Sequence, residues 1–138
     1  MHRILMGACL LAGLVLQVPA LAQPPGFPGE YAGQGEGELS LRLHRLAGNR
    51  YRADITTTDA GRCAGGVDGE AEITPDGHGV LRTANEEYDP NASTPWLRER
   101  YCTITFRIEG RSLRLEEGDG CLGFHGAACG FTGTLQRR

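Results

Sequence analysis

The sequence predicts an all-β domain, a small antiparallel barrel of about eight strands, with a two-sheet β-sandwich as the alternative. Three observations carry this. Apolar residues alternate with polar ones over most of the chain beyond residue 22, turn signals break the alternation at short intervals, and no window there repeats with helical period. The barrel is favoured because hairpin-by-hairpin order suits an up-and-down meander. Strand glycines at Gly33, Gly35, Gly37, Gly69, Gly130 and Gly133 also supply the bends that closure requires.

Taken in order, Leu39, Leu41 and Leu43 alternate with Ser40, Arg42 and His44, and "LAGN" then turns the chain. Tyr51, Ala53, Ile55 and Thr57 continue with Arg52, Asp54 and Thr56 on the other face, completing a hairpin with one dry side. Val67, Gly69, Ala71 and Ile73 oppose Asp68, Glu70 and Glu72. The turn "TPDGHG" follows, and then a short strand through Val80 and Arg82. "ANEEYDPNASTPWLRE" keeps no period, contains two prolines and reads as a long surface loop. Cys102, Ile104, Phe106 and Ile108 restore the alternation, "EGRS" turns, Leu113 and Leu115 follow, and "EGDG" turns again. Phe131, Gly133 and Leu135 form the inward face of the closing strand.

The N-terminus has the order of a secretory signal peptide over residues 1–22: charged Met1-His2-Arg3, an apolar run from Ile4 to Val18, and an A-x-A cleavage site in "PALAQ". "LMGAC" is a competing lipobox, but only Ile4 to Ala8 would serve as its hydrophobic region, shorter than the roughly 7–15 residues such a region needs. Residues 23–29 then form a Pro/Gly-rich leader and 30–138 one β domain, with no membrane span. All fourteen basic residues are arginine, a bias of GC-rich bacterial genomes. Beyond residue 22, thirteen arginines face seventeen acids with no basic run, so nucleic acid is not an expected partner.

Cleavage of the signal peptide removes Cys9 of the five cysteines, and export of the remaining even number makes Cys63, Cys102, Cys121 and Cys129 two disulfides by default. Three pairings are open. Cys121–Cys129 with Cys63–Cys102 is preferred, because the first closes the loop "GCLGFHGAACGFTG" and the second joins two strand starts. Zinc held by Cys121, His125 and Cys129 is the alternative, weakened by the oxidising destination and by the lack of a C-x2-C spacing; no metal or other cofactor is expected.

No serine stands in a nucleophile-elbow context, so no catalytic residue is assigned. Glu117, Asp119 and His125 are the least poor candidates for a small hydrolase or a metal-dependent enzyme, although acids in a turn usually do no more than meet water. His44 and His78 read as surface residues. His125 lies inside the cysteine-rich loop, either bracing it through a loop carbonyl or, with Phe124 and Gly126, presented as a preorganised contact. Phe124 can equally fold inward as a core plug. Tyr88 and Trp96 in the long loop form a second candidate binding surface, against which Trp96 could simply cap one end of the barrel.

At "CLGFHGAACGFTGTLQRR", with "RCAGGVDGEAEI" and "YCTITFRI" upstream, the chain resembles small secreted proteobacterial β-proteins that end in a Cys, a His-Gly, a second Cys and Phe-x-Gly. In size, export and disulfide use it is also broadly similar to periplasmic lysozyme inhibitors, β-rich proteins that plug an enzyme's cleft with a loop. The first group is mostly uncharacterised; the tethered loop and the second similarity point to a periplasmic or secreted binding module whose partner is another cell-envelope protein or a host hydrolase, an inhibitor of a cell-wall hydrolase such as lysozyme being one form. In that form His125 would meet a catalytic carboxylate and Phe124 would fill a sugar subsite. A passive envelope protein is the third reading.

Overall fold

A computed structural model describes residues 26–138. The predicted signal peptide and the Cys9 lipobox lie outside the described residues. Eight strands follow one another: β1 (Gly29–Gly35), β2 (Glu38–Ala47), β3 (Arg50–Asp59), β4 (Cys63–Ile73), β5 (His78–Ala84), β6 (Tyr101–Glu109), β7 (Ser112–Glu117) and β8 (Gly133–Arg137). Each pairs antiparallel with the next, and β8 pairs with β1, so the sheet closes as an up-and-down barrel. The sandwich alternative is excluded by that closing seam.

The alternation read from the sequence is the inside-outside alternation of the wall. Leu39, Leu41, Leu43, Tyr51, Ala53, Ile55, Val67, Ala71, Ile73, Ile104, Phe106, Ile108, Leu113, Leu115 and Leu135 are buried, and cross-strand partners lie level with one another. Leu41 faces Ile55 and Ile55 faces Val67, while Leu81 faces Ala71 and Ile104. An eight-stranded barrel is just wide enough for such side chains to fill, and burying each leucine or isoleucine contributes about 1.5–3 kcal/mol. Outside, Arg42 pairs with Glu30, Arg50 with Glu70 and Arg52 with Asp68 across neighbouring strands. These half-exposed pairs are each worth under about 1 kcal/mol, so they mark the water-facing side more than they hold it. Among the described residues no helix is long and apolar enough to cross a membrane.

The domain begins earlier than position 30. Arg137 of β8 donates to the carbonyls of Gly26 and Pro28, Tyr31 donates to the Phe27 carbonyl at 2.8 Å, and Phe27 packs on the core. The end of the leader is thereby part of the barrel's closing seam.

The preferred disulfide pairing is corrected: the bonds are Cys63–Cys129 and Cys102–Cys121. β5 lies between β4 and β6, and Cys102 pairs with Thr83 near the end of β5, which is level with the middle of β4, so Cys63 and Cys102 are separated by at least two strand spacings, about 9.5 Å, beyond the Cα span of about 7 Å that a disulfide tolerates. The segment after β7 does not close on itself. It folds over the mouth of the barrel, meeting β6 first, through Cys121, and then β4, through Cys129. The zinc alternative falls with the same observation, since Cys121 and Cys129 are oxidised in two separate bonds.

Two short 3₁₀ turns, η1 (Pro95–Arg98) and η2 (Asp119–Phe124), sit in the connections at this mouth. A single 3₁₀ turn is too short to leave a periodic trace in sequence.

Candidate functional site

The site lies where the β5–β6 and β7–β8 connections meet. Asn85 organises the first. It is buried, donates from Nδ2 to the carbonyls of Trp96 and Glu99, both at 2.9 Å, and accepts the Glu87 N–H at 3.2 Å. Its side chain adds to the backbone bonds within the sixteen-residue connection between Ala84 and Tyr101, among them the Asp89 N–H to the Leu97 carbonyl at 2.7 Å. Tyr88, half-buried, lies under the Arg100 guanidinium at 4.9 Å.

The second connection is laid against the barrel by two glycines. A side chain at Gly120 would put its Cβ 2.1 Å from the Tyr101 carbonyl, and one at Gly65 would put it 2.5 Å from Cβ of His125. Only glycine lets η2 lie on β6 and the following turn lie on β4. Gly126, exposed and with φ of 75°, then reverses the chain towards Cys129.

Glu117 continues the alternation of β7 one step into the segment that the sequence predicts as turn. Leu113, Leu115 and Glu117 share one parity on β7, and Glu117 pairs opposite the buried Ile104. Its carboxylate therefore turns inward at the mouth, with 22% of the side chain exposed. Oε2 accepts the Phe131 N–H at 2.8 Å, and the Glu117 N–H donates to Thr132 Oγ1 at 3.1 Å.

His125 completes this arrangement. Its side chain is only 5% exposed, its ring stands edge-on to Phe131 at 5.0 Å, and Nε2 is 3.1 Å from Glu117 Oε2. That contact has the distance of an ion pair but not the alignment of a straight hydrogen bond. Nδ1 faces the Gly126 carbonyl. Because both nitrogens face acceptors, the ring is satisfied only when both carry protons. Burial works against the imidazolium, but contact with the Glu117 carboxylate and its charge outweigh it and raise the His125 pKa above its ordinary 6.5. Burial likewise pushes Glu117 up, and His125 together with the Phe131 N–H outweighs that and holds it below its ordinary 4.5.

The expectation of a projecting Phe124–His125 pair is therefore corrected. His125 braces the connection from within and Phe124 is half-buried against the core, so neither ring is presented as a projecting contact. Trp96 and His125, from separate candidate surfaces, come together instead. They line one cleft of about 470 Å³ with Pro95, Glu117, Gly118, Asp119 and Leu122. Gly126 and Tyr88 lie outside it. His44 and His78 are exposed on the wall.

Chemically the cleft offers an apolar side (Pro95, Trp96, Leu122), the Asp119 carboxylate, and a Glu117–His125 pair whose hydrogen-bonding atoms face each other and the backbone. No hydroxyl or thiol nucleophile is among its lining residues. Fold and site together define a small meander barrel, stapled by two disulfides, with a concave acidic and aromatic end. Comparison with protein-family models, with curated proteins and with solved structures gives no match.

Proposed function

We propose that the chain is an exported binding module, periplasmic or secreted, that inhibits a cell-wall hydrolase of the lysozyme type by steric contact and without a cofactor. The observation that carries this reading is the cleft at Trp96, an aromatic wall beside the Asp119 carboxylate, which has no ion-pair partner among the described residues. Aromatic residues in a concavity anchor partners at low entropic cost. Two disulfides support residence in an oxidising compartment. Contact through the rim of the cleft replaces the insertion of His125 into an enzyme, because that ring is already engaged. Turbidity assays with chicken-type, goose-type and invertebrate-type lysozymes test the proposal. Excess protein slows lysis by at least one of them; unchanged lysis by all three rejects the inhibitor role.

A second reading, a small hydrolase, draws on the convergence of Glu117, Asp119 and His125 on one cleft. It requires turnover of a glycoside, ester or phosphate substrate that Glu117→Gln abolishes. The geometry favours binding over this reading: both ring nitrogens of His125 face acceptors, Nε2 towards the Glu117 carboxylate at 3.1 Å, so neither is turned to a substrate as a free base, and a carboxyl held below its ordinary pKa is a poor proton donor.

A further inference from the structure

We infer that the Trp96 cleft receives a cationic side chain, the guanidinium or ammonium of a basic protein partner. This rests on the reading of the chain as a binding module and specifies the partner's chemistry.

Charge is divided between the two ends of the barrel. In an up-and-down barrel the β1–β2, β3–β4, β5–β6 and β7–β8 connections emerge together, and here they carry Glu36, Glu86, Glu87, Asp89, Glu99 and Asp119 against Arg62, Arg98 and Arg100. Arg62 is spent on Asp59 at 3.2 Å, and Arg100 covers Tyr88. The connections at the opposite end hold Asp76 against Arg111, with Arg138 beside them. The cleft thus opens on the negative end, which attracts and orients a positive partner before contact.

The interior of the cleft suits the same charge. Asp119 lines it with no ion-pair partner among the described residues, whereas the charge of Glu117 is met by His125. Glu87 is also unpaired and stands at the cleft's edge: a Cβ at Gly123 would lie 2.6 Å from Glu87 Oε2 and 3.9 Å from Trp96 Cζ3. Carboxylates beside an indole form a cation site, in which the ring face and the anions attract one charge. The wall of Pro95, Trp96 and Leu122 accepts the methylene stem that an arginine or lysine brings with it. A bare metal ion fits less well, since among the described residues no three His, Cys, Asp or Glu side chains are grouped to hold one.

Trp96 is the sole tryptophan of the chain, so its fluorescence reports on the cleft directly. Titration of the full exported protein with argininamide at low salt gives a saturable change, weakened by raising the salt to about 0.15 M, where charges are screened beyond roughly 8 Å. Asp119→Asn and Glu87→Gln each weaken it by about 3- to 5-fold, and circular dichroism verifies that both variants keep the β fold. No saturable change with argininamide overturns the inference. So does equal binding by both variants, or a response to neutral chitotriose in place of argininamide. Tighter binding of putrescine, a free diamine, overturns the assignment to a protein side chain. Failure of the lysozyme assays alongside normal argininamide binding rejects only the hydrolase as partner and leaves cation recognition standing.

Discussion

Glu117→Gln isolates the charge at the mouth of the barrel while keeping an acceptor for the Phe131 N–H, which reaches Oε2 at 2.8 Å. Opposite charges 3.1 Å apart attract by about 5 kcal/mol at an effective dielectric of about 20. Desolvation of both groups cancels part of this, and the residual exposure of Glu117 places the loss below the range of about 3–5 kcal/mol for a fully buried pair, at about 2–3 kcal/mol. For a domain of just over a hundred residues that is a fall in Tm of about 8–12 °C. The dependence on pH separates this account from simple loss of packing. The raised pKa of His125 means that its contribution is complete below the ordinary 6.5 and is lost as pH rises through the folded value. The lowered pKa of Glu117 means that its contribution is complete above the ordinary 4.5 and is lost as pH falls through the folded value. The two proteins therefore differ most between 4.5 and 6.5 and converge as pH rises beyond that window. Urea melts of wild type and variant from about pH 5 to about pH 9 measure the gap directly. A gap that stays constant over this range, or one below about 0.5 kcal/mol at pH 5.5, would refute the ion-pair account of His125.

The remaining predictions concern what holds the mouth in place. Proteolysis under non-reducing conditions followed by mass spectrometry yields linked peptides for Cys63–Cys129 and Cys102–Cys121; a Cys121–Cys129 peptide would contradict the fold. Opening the first bond by the double replacement Cys63→Ser and Cys129→Ser costs about 4 kcal/mol for its sequence separation of 66, and Cys102→Ser with Cys121→Ser costs about 3 kcal/mol for its separation of 19, both read from urea melts. Asn85→Ala removes two donors to the loop and costs about 2–3 kcal/mol. It also shifts Trp96 emission to the red as the indole gains water, and an unchanged spectrum would show that Asn85 does not position Trp96.

Strand identity and the side each residue faces were legible because both are local: a strand puts neighbouring residues on opposite sides, so Leu39 to Leu43 or Cys102 to Ile108 declare an inward face without reference to any other strand. The same rule, carried one step past Leu115, marks Glu117 as an inward carboxylate. The turn "EGDG" obscured it because acids in turns usually meet water. Disulfide pairing was not local. It depended on β5 standing between β4 and β6 and on the last connection crossing the mouth, and short-range spacing cannot report either. The fate of His125 was decided in the same way. A histidine between glycines in a tethered loop can face out or in, and what turned it inward was a carboxylate from β7, a glycine from β4 and the ring of Phe131 arriving together. The cleft draws on residues on both sides of β6, with Trp96 placed by Asn85 and Asp119 placed by η2. The sequence by itself determined the alternating wall, because side-chain direction in a strand is set by the backbone at each residue. Only the tertiary structure decided the site, because its parts are brought together by closure of the barrel and share no period along the chain.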